Sequence, residues 1–580
     1  MYEPMTSHPA PDERLAAYRI EGDRMAHEPN DLPEPAELKM SVATALRAAA
    51  RAAGDRPAMI QGDRAVSYTE LDDRAARLAG ALAERGVGPG STVAIGLYNS
   101  FAYLETIVAA FKLGARPVNI NYRYRAPELR YVLDYTDAAA FVHDTSLAAH
   151  VREVPGDRLL LEVGAEAEPL APVVPFERAV EHEPVHRDAA AGSPHGIILL
   201  TGGTTGRPKG VIWDRDGLLG ILRGVFRQAG LEPPRTPDEV RTRVRELREK
   251  GGTPVVLPMS PLMHGTGLFH ALRTLLAGGT ICFCTSRSLD ADEVWRTVER
   301  RAVTEMVIVG DAFGRPLVDA LAAAERAGSP YDIGSLRSMT SSGVIWSAEV
   351  KRELLRRGRM TLIDNISASE GGPFGQALAR SEADVADGRF TLAPVARILD
   401  ENDQDIKPGT GQVGVLASAG PQPVGYLKDP ERTARVWRTI DGVRYAVPGD
   451  LASLDADGRL ILLGRGDGVI NTGGEKVFPE EVEEALVTHP SVSEAVVVGV
   501  PDPRWGQIVV AVVAPADALA EVGDEELSRH VGERLAGYKR PRAIVRVEAI
   551  PRSPAGKINR PSARELAVGH LRPATQEATQ

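Results

Sequence analysis

Between residues 41 and 150, short apolar β-type runs alternate with alanine-rich helical runs, and that alternation restricts the possible folds more than any other feature. "RPAMIQGDRAVSYTELDDRAARLAGALAERGVGPGSTVAIGLYNS" reads as strand, turn, strand, helix and buried strand; "FAYLETIVAAFKLGARPVNIN" adds a helix and a strand. Strands joined through helices cross over and pair in parallel, so an α/β layered fold with a mostly parallel sheet is expected. "HGIILLTGG" is a further apolar run, and it leads straight into a loop rich in glycine and threonine. Open α/β folds bind ligands beyond the carboxyl ends of their strands, which puts that loop in a binding position.

The loop, "TGGTTGRPKG" at 201–210, admits two readings. Glycine and threonine are common in mobile surface turns. The same residues also suit a phosphate cradle, because glycines let backbone N–H groups converge on an anion while hydroxyls and a lysine add donors and charge. The Walker pattern cannot be laid onto it, since Lys209 follows Arg207-Pro208 and precedes Gly210. Density of Gly, Thr and Lys alone does not decide between the readings.

A chain of 580 residues is long enough for several domains. Residues 1–40 are Pro-rich and charged and read as a surface arm; 41–465 read as a large α/β domain. From 466 to 580 the texture changes to the short strands and helices of a small α+β domain. Within the large domain, "EPPRTPDEVRTRVRELREKGG" at 232–252 stands apart as a charged helical insert, expected to be a solvated helix. A net charge of −11 argues against nucleic acid as a partner, which would need a basic face. The two cysteines, Cys282 and Cys284, share one face of a probable strand and are too few for a zinc set, so they read as buried apolar residues. Scarce cysteine, an acidic N-terminus without an apolar core and no apolar stretch of about 18 residues predict a soluble, cytoplasmic protein.

Four segments in order carry a resemblance to one family. "TGGTTGRPKG", "ISASEGG", "VPGDLASLDADGRLILLGRGDGVINTGGEKVFPEEVE" and "PRSPAGKINR" resemble motifs of the adenylate-forming acyl-CoA synthetases, over about 41–565. The resemblance implies a large domain of layered α/β subdomains and a small, mobile α+β C-terminal domain. It also implies ATP, Mg²⁺ and CoA, and a reaction in which a carboxylate attacks the α-phosphorus of ATP before a thiol displaces AMP. The loop then reads as the cradle.

The same resemblance implies residue roles. Thr201, Gly202, Gly203, Thr204, Thr205 and Gly206 would hold the β- and γ-phosphates, with Lys209 adding charge. Ser342, Gly343 and Val344 in "SSGVIW", with Asp364, Asn365 and Ile366, would pass along the adenine; Ile366 stands where many members carry an aromatic residue. Ser369 takes the place of a usual Thr, and Glu370 would bind Mg²⁺, which accepts one or two carboxylates plus phosphate oxygens. Asp450 would accept the ribose hydroxyls, with Pro448-Gly449 replacing a common Thr, and Arg465 would bind ribose or phosphate. Asp467 aligns with the hinge, and Lys557 with the adenylation lysine that contacts carboxylate and α-phosphate oxygens. Gly473, Gly474 and Glu475 lie near the expected pantetheine tunnel, while Lys476 replaces an Arg that relatives often carry at a phosphate. His264 in "PMSPLMHGTGLFH" would border the acyl pocket with Gly343 and Ser367.

The motif variants and the charged insert resemble acyl-CoA ligases for bulky acids, such as steroid side chains and long acyl chains. Two alternatives stay open. One keeps adenylation but changes the acceptor to an amine, a carrier protein or an arylamine diazotised by activated nitrite; no carrier segment with an attachment serine is read after residue 570. The other is a non-catalytic binding relic, disfavoured because Glu370, Asp450, Lys557 and the Gly/Thr loop occur together. A homodimer is the default expectation from symmetry.

Overall fold

The computed structural model describes residues 38–571 apart from 155, 165–172, 186–192, 202–207, 344–345, 386–387, 466–467, 469, 473–474, 503–504, 517–521, 536 and 554–555; at 465, 471, 475–476 and 506 the backbone alone is described. Its chain divides into two compact units. The first contains the residues before Arg397 together with Ser418–Ala446; the second contains Arg397–Ala417 and the residues from Val447 onward.

The alternating N-terminal pattern becomes a sheet in the first unit. The strand Thr92–Gly96 is buried along its whole length and pairs in parallel with Arg116–Asn119 on one side and Ala138–Asp144 on the other. Helices Phe101–Leu113 and Ala126–Tyr135 make the crossovers. Phe101–Leu113 is buried on nearly every side, including Glu105, which Arg74 meets at 2.7 Å, and Lys112, which meets Asp72 at 2.5 Å. His195–Thr201 extends this sheet by pairing in parallel with Arg116–Asn119; Lys209–Asp214 and Gly425–Tyr426 come next as antiparallel neighbours.

A second sheet in the same unit carries the parallel strands Pro57–Gln61, Thr280–Phe283, Val255–Pro258, Glu305–Ile308, Ser338–Ser342 and Thr361–Ala368 in spatial order. Gly371–Ala379 turns back antiparallel on Thr361–Ala368. Cys282 and Cys284 pack in the apolar cluster beside these strands, and burial pushes both thiols up to about 12.

The charged insert departs from the expected solvated helix. Helix Pro237–Glu249 starts from Thr236, whose hydroxyl accepts from Glu239 N at 3.2 Å, and it turns Val240, Val244 and Leu247 inward against helix Val42–Ala53. Its charges occupy the outer face. The high charge content conceals an i, i+4, i+7 apolar stripe.

In the second unit, Asp450–Leu454 pairs antiparallel with Leu460–Arg465, and Gly414 and Val415 pair with Ala452 and Leu451. These strands belong to the same compact unit as the C-terminal part of the chain. Beyond lies a five-stranded sheet whose long antiparallel pair is Val492–Asp502 with Gly506–Pro515, joined in parallel by Ala543–Arg546. Both faces of that pair are covered. Ala495, Val497, Val509, Ala511 and Val513 face helices Pro479–Val487 and Asp524–Gly532. Val496, Val498, Val500, Val510 and Val512 face helix Arg560–Leu571. The run "AVVVGV" is the mark of a strand buried on both faces. This is a mixed α/β fold with layered sheets and a smaller α+β part toward the C-terminus.

Candidate active site

His195–Thr201 and Lys209–Asp214 form a β-hairpin, and the pair Thr201↔Lys209 closes its tip. Gly202, Gly203, Thr204, Thr205 and Gly206 of the expected cradle lie outside the described residues. Thr201 and Lys209 stand at the root of that loop. The Lys209 Nζ is buried and has no hydrogen-bond partner among the described residues. An ammonium without a partner is expensive to bury, so this position suits an incoming anion. Behind the hairpin, stacked Tyr131 and Tyr135 donate to Pro208 O at 3.3 Å and Leu427 O at 2.7 Å, and Tyr135 Oη accepts from Gly210 N at 3.3 Å. Asn119, 5 % exposed, accepts from Leu200 N at 2.8 Å and donates to Met263 O. It thereby ties the residue before Thr201 to the residue before His264.

Glu370 sits in the turn between Thr361–Ala368 and Gly371–Ala379 and is 8 % exposed. Tyr426 Oη donates to its Oε1 at 2.7 Å, and Trp437 Nε1 donates to its backbone oxygen at 3.1 Å. Trp213, in the strand that begins at Lys209, donates from Nε1 to Ser369 O at 3.2 Å. Tyr426 belongs to the strand that pairs with Val211 of the hairpin. The acidic turn and the hairpin root are thus tied together twice, through Trp213 and through Tyr426.

Ser342 and Asn365 are register partners on adjacent parallel strands, and the Ser342 and Ser367 hydroxyls meet at 3.0 Å. Gly343 comes next with φ +96°, and a Cβ added there would meet open space. Val344 lies outside the described residues. Ile366 lies opposite Gly375 and is half-buried. Asp364, expected beside the nucleotide, directs its carboxylate into the fold, where Lys351 Nζ meets it at 2.7 Å. Burial raises the Asp364 carboxyl above the usual range even though the Lys351 ammonium pulls it down. Its side chain braces the strand and its backbone alone is left for a ligand.

His264 is the N-cap of helix Gly265–Leu276 and is half-buried. Nearly two turns on, His270 Nδ1 lies 2.7 Å from Thr266 O, and burial lowers its pKa to about 3, so the ring stays neutral.

In the second unit the register brings Asp450 opposite Arg465, joining at one hairpin end two residues expected to share the ribose. Gly449, at φ +95°, makes the turn into that strand. The side chains of Arg465, Glu475 and Lys476, and Asp467, Gly473 and Gly474 as a whole, lie outside the described residues. Lys557 is exposed on a small loop closed by the bridge Arg552↔Ile558; Ser553 N donates to Lys557 O at 2.7 Å, and Arg552 reaches Gly556 O at 2.9 Å and Glu494 at 2.7 Å. Arg560 fixes the loop's far end by donating to Glu480 Oε1 at 2.8 Å, to Glu483 and to Val497 O at 3.0 Å.

Tyr426, Trp437, Trp213 and Asn119 escaped the reading of the sequence. Single aromatic and amide residues carry no spacing signal, and only the pairing of distant strands brings them to the site.

Residues 46–426 match the family model described as AMP-binding enzyme, and 481–557 match the AMP-binding enzyme C-terminal domain. The chain is 36% identical over 532 residues to the medium/long-chain-fatty-acid–CoA/3-oxocholest-4-en-26-oate–CoA ligase of Mycolicibacterium smegmatis, covering 90% of this chain and 95% of that one. It is 37% identical over 517 residues to the 3-oxocholest-4-en-26-oate–CoA ligase of Rhodococcus rhodochrous, covering 87% and 91%. Its fold is similar to that of the anthranilate CoA ligase AuaEII in complex with anthranoyl-AMP, with a TM-score of 0.75 at 22% identity over 94% of this chain and 100% of that one.

Proposed function

The chain belongs to the AMP-binding enzyme family, and from that premise we propose that it is an ATP-dependent, AMP-forming acid–CoA ligase for bulky or long-chain carboxylic acids. The acid's carboxylate attacks the α-phosphorus of ATP; an acyl-adenylate forms and pyrophosphate leaves. The CoA thiol then adds to the acyl carbonyl and AMP departs.

A carboxylate is already a nucleophile, so the first step needs no general base. Neutral His270 is a packing residue, and His264 borders the acyl pocket with Gly343 and Ser367. The chemistry depends on holding anions together and on meeting charge as it develops on phosphate and carbonyl oxygens. Thr201 and Lys209, with the loop they bracket, take the β- and γ-phosphates. Asp450 accepts the ribose hydroxyls. Lys557, on its loop in the C-terminal part of the chain, is the lysine of the adenylation step.

Glu370 fits Mg²⁺: one carboxylate oxygen is held by Tyr426 and the other accepts from none of the described residues. When bound with ATP, the metal neutralises phosphate charge. The observation that carries the reading is that the strand beginning at Lys209, whose ammonium has no hydrogen-bond partner among the described residues, is tied through Trp213 to the turn that holds the half-engaged Glu370 carboxylate. One suits a phosphate, the other the cation that accompanies it.

The test is turnover with ATP and Mg²⁺ over medium- and long-chain fatty acids and 3-oxocholest-4-en-26-oate, with and without CoA. Pyrophosphate release and the mass of the product are followed. CoA-dependent release with an acyl-CoA product is expected. Turnover only with an amine, with or without nitrite, would overturn the acceptor; no turnover with any acid would overturn the enzyme.

A further inference from the structure

We propose that Tyr426 is a positioning residue that sets the Glu370 carboxylate for the divalent cation carried with ATP, and locks this metal seat to the phosphate hairpin. The inference rests on the reading of Glu370 given above.

Tyr426 and Glu370 are both nearly sealed from solvent, at 7 % and 8 % exposure. A phenol donating to a carboxylate makes a charge-assisted hydrogen bond, which is strong and directional when buried. Because Tyr426 engages Oε1, Oε2 is the oxygen left to coordinate. The backbone around Glu370 is fixed separately by the Trp437 and Trp213 indoles, so the phenol controls what freedom remains, the carboxylate's own rotation.

Tyr426 is itself anchored. Its N donates to Thr433 Oγ1 at 2.9 Å, its ring meets Trp437 edge-on at 5.0 Å, and the Arg432 guanidinium lies 5.4 Å from the ring centre. The next residue, Leu427, donates from N to Gly210 O at 2.7 Å, directly after Lys209. One short strand therefore carries both the contact to the hairpin root and the contact to the carboxylate. A shift of either would move the other.

Tyr426→Phe keeps the ring and removes only the hydroxyl. In titrations without any carboxylate substrate, followed by calorimetry and by Mn²⁺ electron paramagnetic resonance, the variant should bind Mn²⁺·ATP about tenfold more weakly. Its affinity for ATP in chelator should change less than about twofold, since the phenol acts through the metal ligand. In a Glu370→Gln background the added Tyr426→Phe change should have no further effect on Mn²⁺·ATP binding. A purely structural tyrosine would weaken both forms of ATP alike or act equally in the two backgrounds, and either result overturns the inference, as does unchanged Mn²⁺·ATP binding. Should Tyr426→Phe not fold, Trp437→Phe, which frees the Glu370 backbone oxygen but leaves the phenol, is expected to weaken Mn²⁺·ATP binding less than Glu370→Gln does; equal weakening overturns the inference. Wild-type protein that binds Mn²⁺·ATP but makes no thioester would sink the CoA ligase and leave this inference standing. Wild-type protein that does not distinguish Mn²⁺·ATP from free ATP would sink the inference itself.

Discussion

Arg560 offers a way to separate the two half-reactions without touching Lys557. Its guanidinium bridges Glu480 and Glu483 on helix Pro479–Val487 and reaches Val497 O on the neighbouring strand. Side-chain exposure is 30% for Arg560, 33% for Glu480 and 8% for Glu483, so the pair with Glu483 dominates and the pair with Glu480 is partly screened. Removing one partner of a buried ion pair costs about 3–5 kcal/mol; partial exposure sets the expectation for Arg560→Gln at the lower end, about 3 kcal/mol. The loss falls on one root of the Lys557 loop, the other being held by Arg552 and Glu494. A lysine displaced by about 1 Å lowers a rate that depends on its position by up to about 10²-fold. Pyrophosphate release should therefore fall between ten- and a hundredfold, whereas thioester formation from supplied acyl-adenylate should fall less than about threefold. A chain of two units need not unfold in one step, so the local loss is best read by hydrogen exchange of the peptide containing Pro479–Val487. Arg560→Lys should recover part of both effects. Equal loss of the two half-reactions, or unimpaired adenylation in a variant whose helix exchanges faster, would refute the link between clamp and lysine.

Lys557→Ala should abolish adenylate formation and largely spare thioester formation from supplied acyl-adenylate, as stopped-flow or quench assays of each step will report; equal loss contradicts its role. Lys351→Met should destabilise the first unit by about 3 kcal/mol in denaturant because it leaves Asp364 buried without its partner. The deficit should shrink toward acid pH, where the raised Asp364 carboxyl takes up a proton, and the Lys351→Met/Asp364→Asn double variant should lose less than the single one. Burial raises the Glu480 carboxyl above its ordinary 4.5, so its contribution to stability is present below that value and is lost as pH climbs through the raised one. The melting temperature of Glu480→Gln should accordingly gain on that of the wild type as pH goes from about 4 to about 7, and a difference that stays flat would place the burial penalty elsewhere.

Most of the fold was legible because its signals are local and repeated. Period-2 and period-3.6 apolarity identified the strands and helices from Pro57 to Asn119. The insert at 232–252 was misjudged for the same reason. Its three inward side chains, Val240, Val244 and Leu247, are outnumbered by charges that lie on the outer face and need not be buried at all. The division into units was harder to see, since Arg397–Ala417 joins strands that come well after it in the chain, and nothing in the intervening sequence records that pairing.

The candidate site divides along the same line. Residues that would touch the ligand cluster in short motifs, since a loop, a turn or a strand end must present several groups to one small molecule. The residues that hold those groups in place come from wherever the fold supplies a buried donor. Asp364 shows the risk of reading by motif alone: it neighbours candidate contacts in sequence, yet alternation along its strand turns its carboxylate inward to Lys351. Tyr426 shows the converse, lying 56 positions from Glu370 and separated from it by several strands before antiparallel pairing with Val211 brings its hydroxyl to the carboxylate. A carboxylate that must bind a metal reversibly cannot be saturated by protein donors, nor can it be left to rotate. One phenol on one oxygen meets both requirements, and chain order gives no hint of which aromatic residue will provide it.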